Sequence, residues 1–181
     1  HAWSENDFWL FLANGVTVIR NLWGTNMQLG WSRQIEAGKK TGPLVYTAGP
    51  LLDGSPPIWR GCTVVQSPEQ ARKEIRAQKK AGYHFIKVYN RLKPDVYDAI
   101  MDEAHKQGIR VTGHVPNRVG LSHVLQSKQV CIEHLSGYLE IAGPRVEGGR
   151  WPQLAAHLDA LDDEQIRRIV DQTIKQGTWN C

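Results

Sequence analysis

His84-Phe85-Ile86-Lys87-Val88-Tyr89 opens a stretch that closes at His134 and decides how the rest of the chain is read. Inside it lie three strand-like runs, Phe85 to Tyr89, Ile109-Arg110-Val111-Thr112-Gly113-His114 and Gln129-Val130-Cys131-Ile132-Glu133-His134, each ending at or near a group able to hold a metal. Alternate side chains of a strand share a face, so Phe85, Lys87 and Tyr89 point one way and Ile86 and Val88 the other. Lys87 is thereby set among apolar neighbours, where an ammonium must lose its proton, find a partner or be chemically altered. Histidines closing the next two strands make a metal the economical partner.

Outward from this stretch, helices alternate with strands. Ser4-Glu5-Asn6-Asp7 predicts a helix start with Ser4 as cap and an S-x-x-D box, stopped at Asn14-Gly15. Val16 to Arg20 is a β-branched strand, Asn21 to Gly30 a loop carrying Trp23, and Gln34 to Ala37 a short helix. Leu44 to Ala48 is a strand, followed by a Gly/Pro-rich loop from Gly49 to Gly61 bearing Trp59. Ser67-Pro68 starts a helix that ends at Ala81-Gly82, and Pro94 to Lys106 carries the apolar stripe Val96, Ala99, Ile100 and Ala104. A helix is expected near Val119 to Gln126, a loop from Gly143 to Gly149, a helix from Asp162-Asp163-Glu164 to Lys175-Gln176, and a last strand from Thr178 to Cys181.

Six strands, apolar on both faces and alternating with helices, predict an α/β fold with a parallel sheet. A doubly wound sheet fits the count. Metal-type residues at successive strand ends favour a (β/α)8 barrel, whose strand ends converge on one mouth. A full barrel needs about 250 residues, so the expectation is one domain over residues 1–181, a barrel truncated at both ends with about strands 2–7 present.

Composition narrows the function. The 181 residues are 41% hydrophobic and 22% charged, an ordinary globular balance. The net charge of +4 is spread over helix faces such as Arg72 to Lys80, which argues against nucleic acid as a partner. There is no apolar run long enough to span a membrane and no basic-then-apolar start, so no membrane association is expected and the compartment stays open, as does homo-oligomerisation. Cys62, Cys131 and Cys181 are scattered, which predicts reduced, mostly buried thiols.

Ile86-Lys87-Val88, Gly113-His114-Val115-Pro116 and Ile132-Glu133-His134 resemble the metal-dependent amidohydrolase superfamily, in its prolidase-like and imidazolonepropionase-like branch. Leu12-Ala13-Asn14-Gly15-Val16-Thr17-Val18-Ile19-Arg20 is similar to the family's segment after its first strand, which places His1 at the second histidine of a His-x-His pair. The resemblance implies a carboxylated Lys87 bridging two divalent metals, zinc by preference, with His114 and His134 on one metal and His1 on the other. It implies metal-activated water attacking an amide, lactam, peptide or ester bond of a small-molecule substrate. The general-base aspartate of the family would lie beyond Cys181, so these residues alone are expected to be inactive. Where dipeptide-cleaving relatives carry a tyrosine two positions after the histidine, this chain has Pro116. Tyr89, Tyr138 and Trp59 are the expected substrate-binding residues, with Trp23 on a neighbouring loop. His84, His105, His123 and His157 are expected to be structural. Two rival readings stay open: a Schiff-base lysine enzyme built on Lys87, and a barrel that only binds ligand.

Overall fold

A computed structural model describes residues 1–138 and 162–181. The loop expected at 143–149 and His157 lie outside the described residues. The strands are β1 (Val18–Asn21), β2 (Leu44–Thr47), β3 (Leu52–Asp53), β4 (Thr63–Val64), β5 (Phe85–Val88), β6 (Arg110–Gly113), β7 (Cys131–Ile132) and β8 (Trp179–Asn180). The helices are α1 (Asn6–Ala13), α2 (Asn26–Glu36), α3 (Pro68–Ala81), α4 (Pro94–Gln107), α5 (Leu121–Gln126) and α6 (Asp163–Gln176). All pairings are parallel, in a sheet of order β1-β2 and another of order β4-β3-β5-β6-β7-β8. A bridge from Ala48 to Phe85 joins the two sheets. No helix among the described residues is long and apolar enough to cross a membrane.

The helices begin and end where local chemistry satisfies their free backbone groups. In α3, Ser67 Oγ accepts from Gln70 N, Pro68 occupies the first turn, and Gly82 closes the helix at φ 92°. Apolar side chains from α3 and α4, among them Ile75, Val96, Tyr97 and Ile100, join Ile86, Val88 and Val111 of the sheet in the main core. Ile86 and Val88 thus face the helices, as the two-residue period of a strand requires.

Several expectations are corrected. Residues 21–30 are not all loop: α2 starts at Asn26 because Thr25 and Gln28 form a reciprocal capping box, and Leu29 and Trp31 are buried. At α1 the residue before the helix is Glu5; Asp7 accepts from the N–H groups of Trp3 and Ser4, while Ser4 Oγ donates to Asp7, so only half the expected box forms. The Gly49–Gly61 loop contains β3, and β4 follows it; two-residue strands carry too little periodicity to be read. β1 and β2 are not apolar on both faces in use: Val18, Leu44 and Tyr46 are exposed. Of the three thiols, all free, only Cys131 is buried.

The sheets curl. Arg20 on β1 meets Glu133, just after β7, at 3.2 Å. Between them stand β2, β5 and β6, and four strand spacings of about 4.8 Å would set them roughly 19 Å apart in a flat sheet. The two side chains cannot span that distance, so the strands wrap around a concave inner face. At Gly113, φ 140°, a Cβ would lie 2.2 Å from Val88 O, so only glycine lets β6 approach β5 immediately before His114.

Candidate metal centre

β5 carries Lys87 in register with Thr112 on β6, and β6 ends beside β7 through the pair Gly113 and Ile132. This registry brings Lys87, His114 and His134 to the same end of three adjacent strands. A cavity of about 230 Å³ at that end is lined by His1, Trp3, Leu22, Trp23, Leu51, Trp59, Lys87, Tyr89, His114 and His134. The residues expected to bind metal therefore share one cavity, together with Tyr89 and Trp59. Tyr138 is elsewhere: its hydroxyl pairs with Thr173 Oγ1 at 3.0 Å and accepts from Asn180 Nδ2 at 3.0 Å, holding α6 and β8. The chain reverses before reaching it, with His134 and Leu135 at φ 60° and 52° and a 3-10 turn over Glu133–Leu135. Left-handed backbone at a non-glycine histidine costs about 1 kcal/mol or more, and here it turns His134 into the cavity lining.

Lys87 is only 4% exposed and forms no hydrogen bond or salt bridge with any described residue. Burial lowers its ammonium to about 8, against the opposing pull of Glu133 and with the repulsion of Arg20. Glu133 is its natural counter-ion, but that carboxylate is already occupied by Arg20 and by Thr112 Oγ1 at 2.8 Å. Burial alone would raise Glu133; the Thr112 hydrogen bond and the Lys87 and Arg20 charges hold it below the ordinary range. Sequence reasoning missed this Arg20–Glu133 pair, whose members are 113 positions apart.

His114 is brought down to about 4 by burial, then by Lys87 and His134, so its imidazole is neutral at pH 7. Its Nδ1 lies 2.6 Å from Asn90 Oδ1; donation of that N–H leaves Nε2 as the nitrogen with a free lone pair, the arrangement of a metal-ligating histidine with an outer partner. The His114 and His134 ring centres are 5.2 Å apart at 88°. Two imidazoles bound through nitrogen to one tetrahedral zinc would place their centres about 5 Å apart, so this pair fits a shared cation. Among the described residues, no three unmodified His, Cys, Asp or Glu side chains are close enough to cage a metal. Asn90→Ala is expected to weaken metal uptake roughly ten- to a hundredfold, read by competition against a chromophoric chelator.

Aromatic side chains also line the cavity. Trp3 meets Trp23 edge-on at 5.8 Å, Trp23 meets Trp59 at 6.4 Å, and Trp59 Nε1 donates to Tyr89 Oη at 2.8 Å. Tyr89 then lies 4.1 Å from the His114 ring. The remaining histidines have structural partners or exposed positions: His84 Nδ1 accepts from Thr47 N, His123 pairs with Asp98 at 2.7 Å, and His105 sits exposed on α4.

No family model matches the sequence, and no curated protein does. Solved structures match. A bottromycin amidohydrolase is 29% identical with a TM-score of 0.76, over 89% of this chain and 36% of its own. A putative prolidase from Bifidobacterium longum is 24% identical with a TM-score of 0.61, over 85% of this chain and 48% of its own. The A. niger ochratoxinase is 20% identical with a TM-score of 0.64, over 97% and 54%; these last two speak to the fold. The chain spans roughly a third to a half of the structures it matches. Those structures are members of the amidohydrolase superfamily, and this chain shares their α/β fold over most of its length.

Proposed function

We propose that the chain is the metal-binding part of a (β/α)8 amidohydrolase that cleaves a C–N bond, or an ester, of a small-molecule substrate. The observation that carries this is the unpaired, buried Lys87 sharing a cavity with His1, His114 and His134. The curl of the strands, with β1 reaching β7 across the inner face, supports a barrel in which β1, β2, β5, β6, β7 and β8 take successive places.

The chemistry of Lys87 follows from its burial. With its ammonium lowered to about 8, about half of it is the free amine at pH 8, whereas an ordinary lysine near 10.4 is well under one per cent free amine. The amine nitrogen adds to the carbon of carbon dioxide, a C=O electron pair moves onto oxygen, and the nitrogen releases a proton to solvent. The product is an anionic carbamate able to bridge two cations. His114 and His134 would hold one divalent ion through neutral imidazoles and His1 would contribute to a second, with zinc the best match to nitrogen and oxygen donors. Such an ion, when bound, acidifies a water and polarises the scissile carbonyl. The chain's own residues orient the rest: Asn90 fixes the His114 tautomer, and Trp3, Trp23, Trp59 and Tyr89 present a wall for an apolar portion of the substrate.

Metal analysis of the protein purified without chelators should find near-stoichiometric divalent metal. Assayed on the metal-loaded full-length protein, a panel of N-acyl amides, lactams, aryl esters and Xaa-Pro dipeptides should then show preference for substrates with an apolar part over free dipeptides, because Pro116 offers no hydroxyl where dipeptide-cleaving relatives place a tyrosine. By far the highest kcat/KM on the dipeptides would overturn the argument from Pro116. Metal-free protein trapped covalently at Lys87 by borohydride and a carbonyl substrate would instead establish a Schiff-base enzyme.

A further inference from the structure

A second, larger cavity of about 620 Å³ adjoins the first, within the usual size of a ligand site. Loops following β3, β4, β5 and β6 form it, and it contains three cationic residues, Arg91, Lys93 and Arg118, with no Asp or Glu among its described lining residues. None of the three cations forms a salt bridge within the described residues. Asp95, two positions after Lys93 in the first turn of α4, is exposed, is not among the lining residues and forms no salt bridge among the described residues; Asp53, next to Gly54 of the lining, is fully buried and engaged with main chain: its carboxylate accepts from Gly54 N at 2.9 Å, Ile58 N at 2.9 Å and Arg91 N at 2.7 Å. These bonds clamp the loop after β3 to the loop after β5. Gly54 lets them meet, since a Cβ there would lie 1.9 Å from Arg91 O. Arg91 Nη1 donates to Pro56 O at 2.7 Å, tying the guanidinium to the same frame. Arg91 is therefore held in place, Lys93 and Arg118 are exposed beside it, and none of the three is compensated by an ion pair among the described residues.

We propose that this cavity binds an oxyanion, a carboxylate or phosphate group. Guanidinium forks and an ammonium supply charge-assisted donors to such a group. The cavity is coupled in space to the candidate metal centre through Asn90, which lines it and also bonds His114. The anion is either an arm of the molecule whose scissile bond occupies the first cavity or a free ion beside it; the first source rests on the hydrolase reading, and the binding itself does not.

Calorimetric titration with inorganic phosphate, N-acetylglycine and its neutral carboxamide decides it, run on the protein and on Lys93→Gln/Arg118→Gln. Both substitutions fall on exposed side chains, so folding is expected to be retained, which circular dichroism checks. The expected result is preference for an anion over the carboxamide, weakened roughly tenfold or more in the double variant. Preference for N-acetylglycine identifies an arm of an amide ligand, and binding of phosphate alone identifies a free ion; either supports the site. Equal binding of anion and carboxamide, no binding of either anion, or anion binding unchanged in the double variant, which would place the anion at the metal, overturns it. In the full-length protein, absence of hydrolysis of every amide would count against the hydrolase reading and leave these isotherms intact.

Discussion

In the full-length protein, Lys87→Ala is expected to remove most of the bound metal and to lower kcat/KM by roughly a thousandfold or more, because several kcal/mol of transition-state stabilisation by a bound cation would be lost with its bridge. Lys87→Met, which keeps the buried volume, should lose metal equally while unfolding at a temperature close to that of the parent; this separates the chemical role from packing. In the parent, protein equilibrated with carbon-13 bicarbonate should show a carbamate resonance that both variants lack. Short carboxylic acids added to Lys87→Ala should restore part of the metal uptake, since they can occupy the vacated space and supply the missing oxygens. Full metal content in Lys87→Met without added acid would sink the bridging role.

The second large effect concerns stability. Arg20→Met leaves Glu133, 2% exposed, without its cationic partner. Removing one member of a buried pair costs several kcal/mol; with Arg20 one-third exposed, the low end of that range applies, roughly 3 kcal/mol, or a fall in Tm of about 6–12 °C for a chain of this size. Arg20→Met/Glu133→Leu should recover much of it, as replacing both partners by apolar groups generally does. The sign with pH follows from Glu133, whose folded pKa is depressed. Its contribution is present above the ordinary glutamate value of 4.5 and is lost as pH falls through the lower folded value. Urea unfolding from pH 7 down to pH 3 should show this loss in the parent, and Arg20→Met should show a smaller one. A Tm change under about 2 °C in Arg20→Met would mean that solvent already screens the pair.

The parts of this fold that were legible in the sequence are those written in neighbouring residues. The caps and stops of α3, with Ser67-Pro68 at one end and Gly82 at the other, need only a few adjacent positions. So do the apolar period of α4 and the strand character around Lys87, His114 and His134. The start of α2 was obscured by Gly24 and Gly30, although Thr25 and Gln28 carried the signal of its capping box. β3 and β4 were not legible at two residues each. Tyr138 looked like a residue of the mouth because it follows a strand, but the left-handed turn at His134 and Leu135 carries the chain away, and no local pattern announces positive φ at such residues.

By itself the sequence determined which side chains stand at strand ends and that the strands run parallel with helical crossovers, since side-chain alternation and helix capping are set by short-range sterics and hydrogen bonding. Only the tertiary structure decided that Arg20 reaches Glu133 across three intervening strands and so shares the carboxylate whose charge acts on Lys87. It also decided that Asn90 orients His114, that Trp3, Trp23 and Trp59 form one wall, and that Arg91, Lys93 and Arg118 surround one cavity. These are contacts between residues far apart in the chain, and their existence depends on how strongly the sheet curls, a property of the packed whole that no single segment encodes.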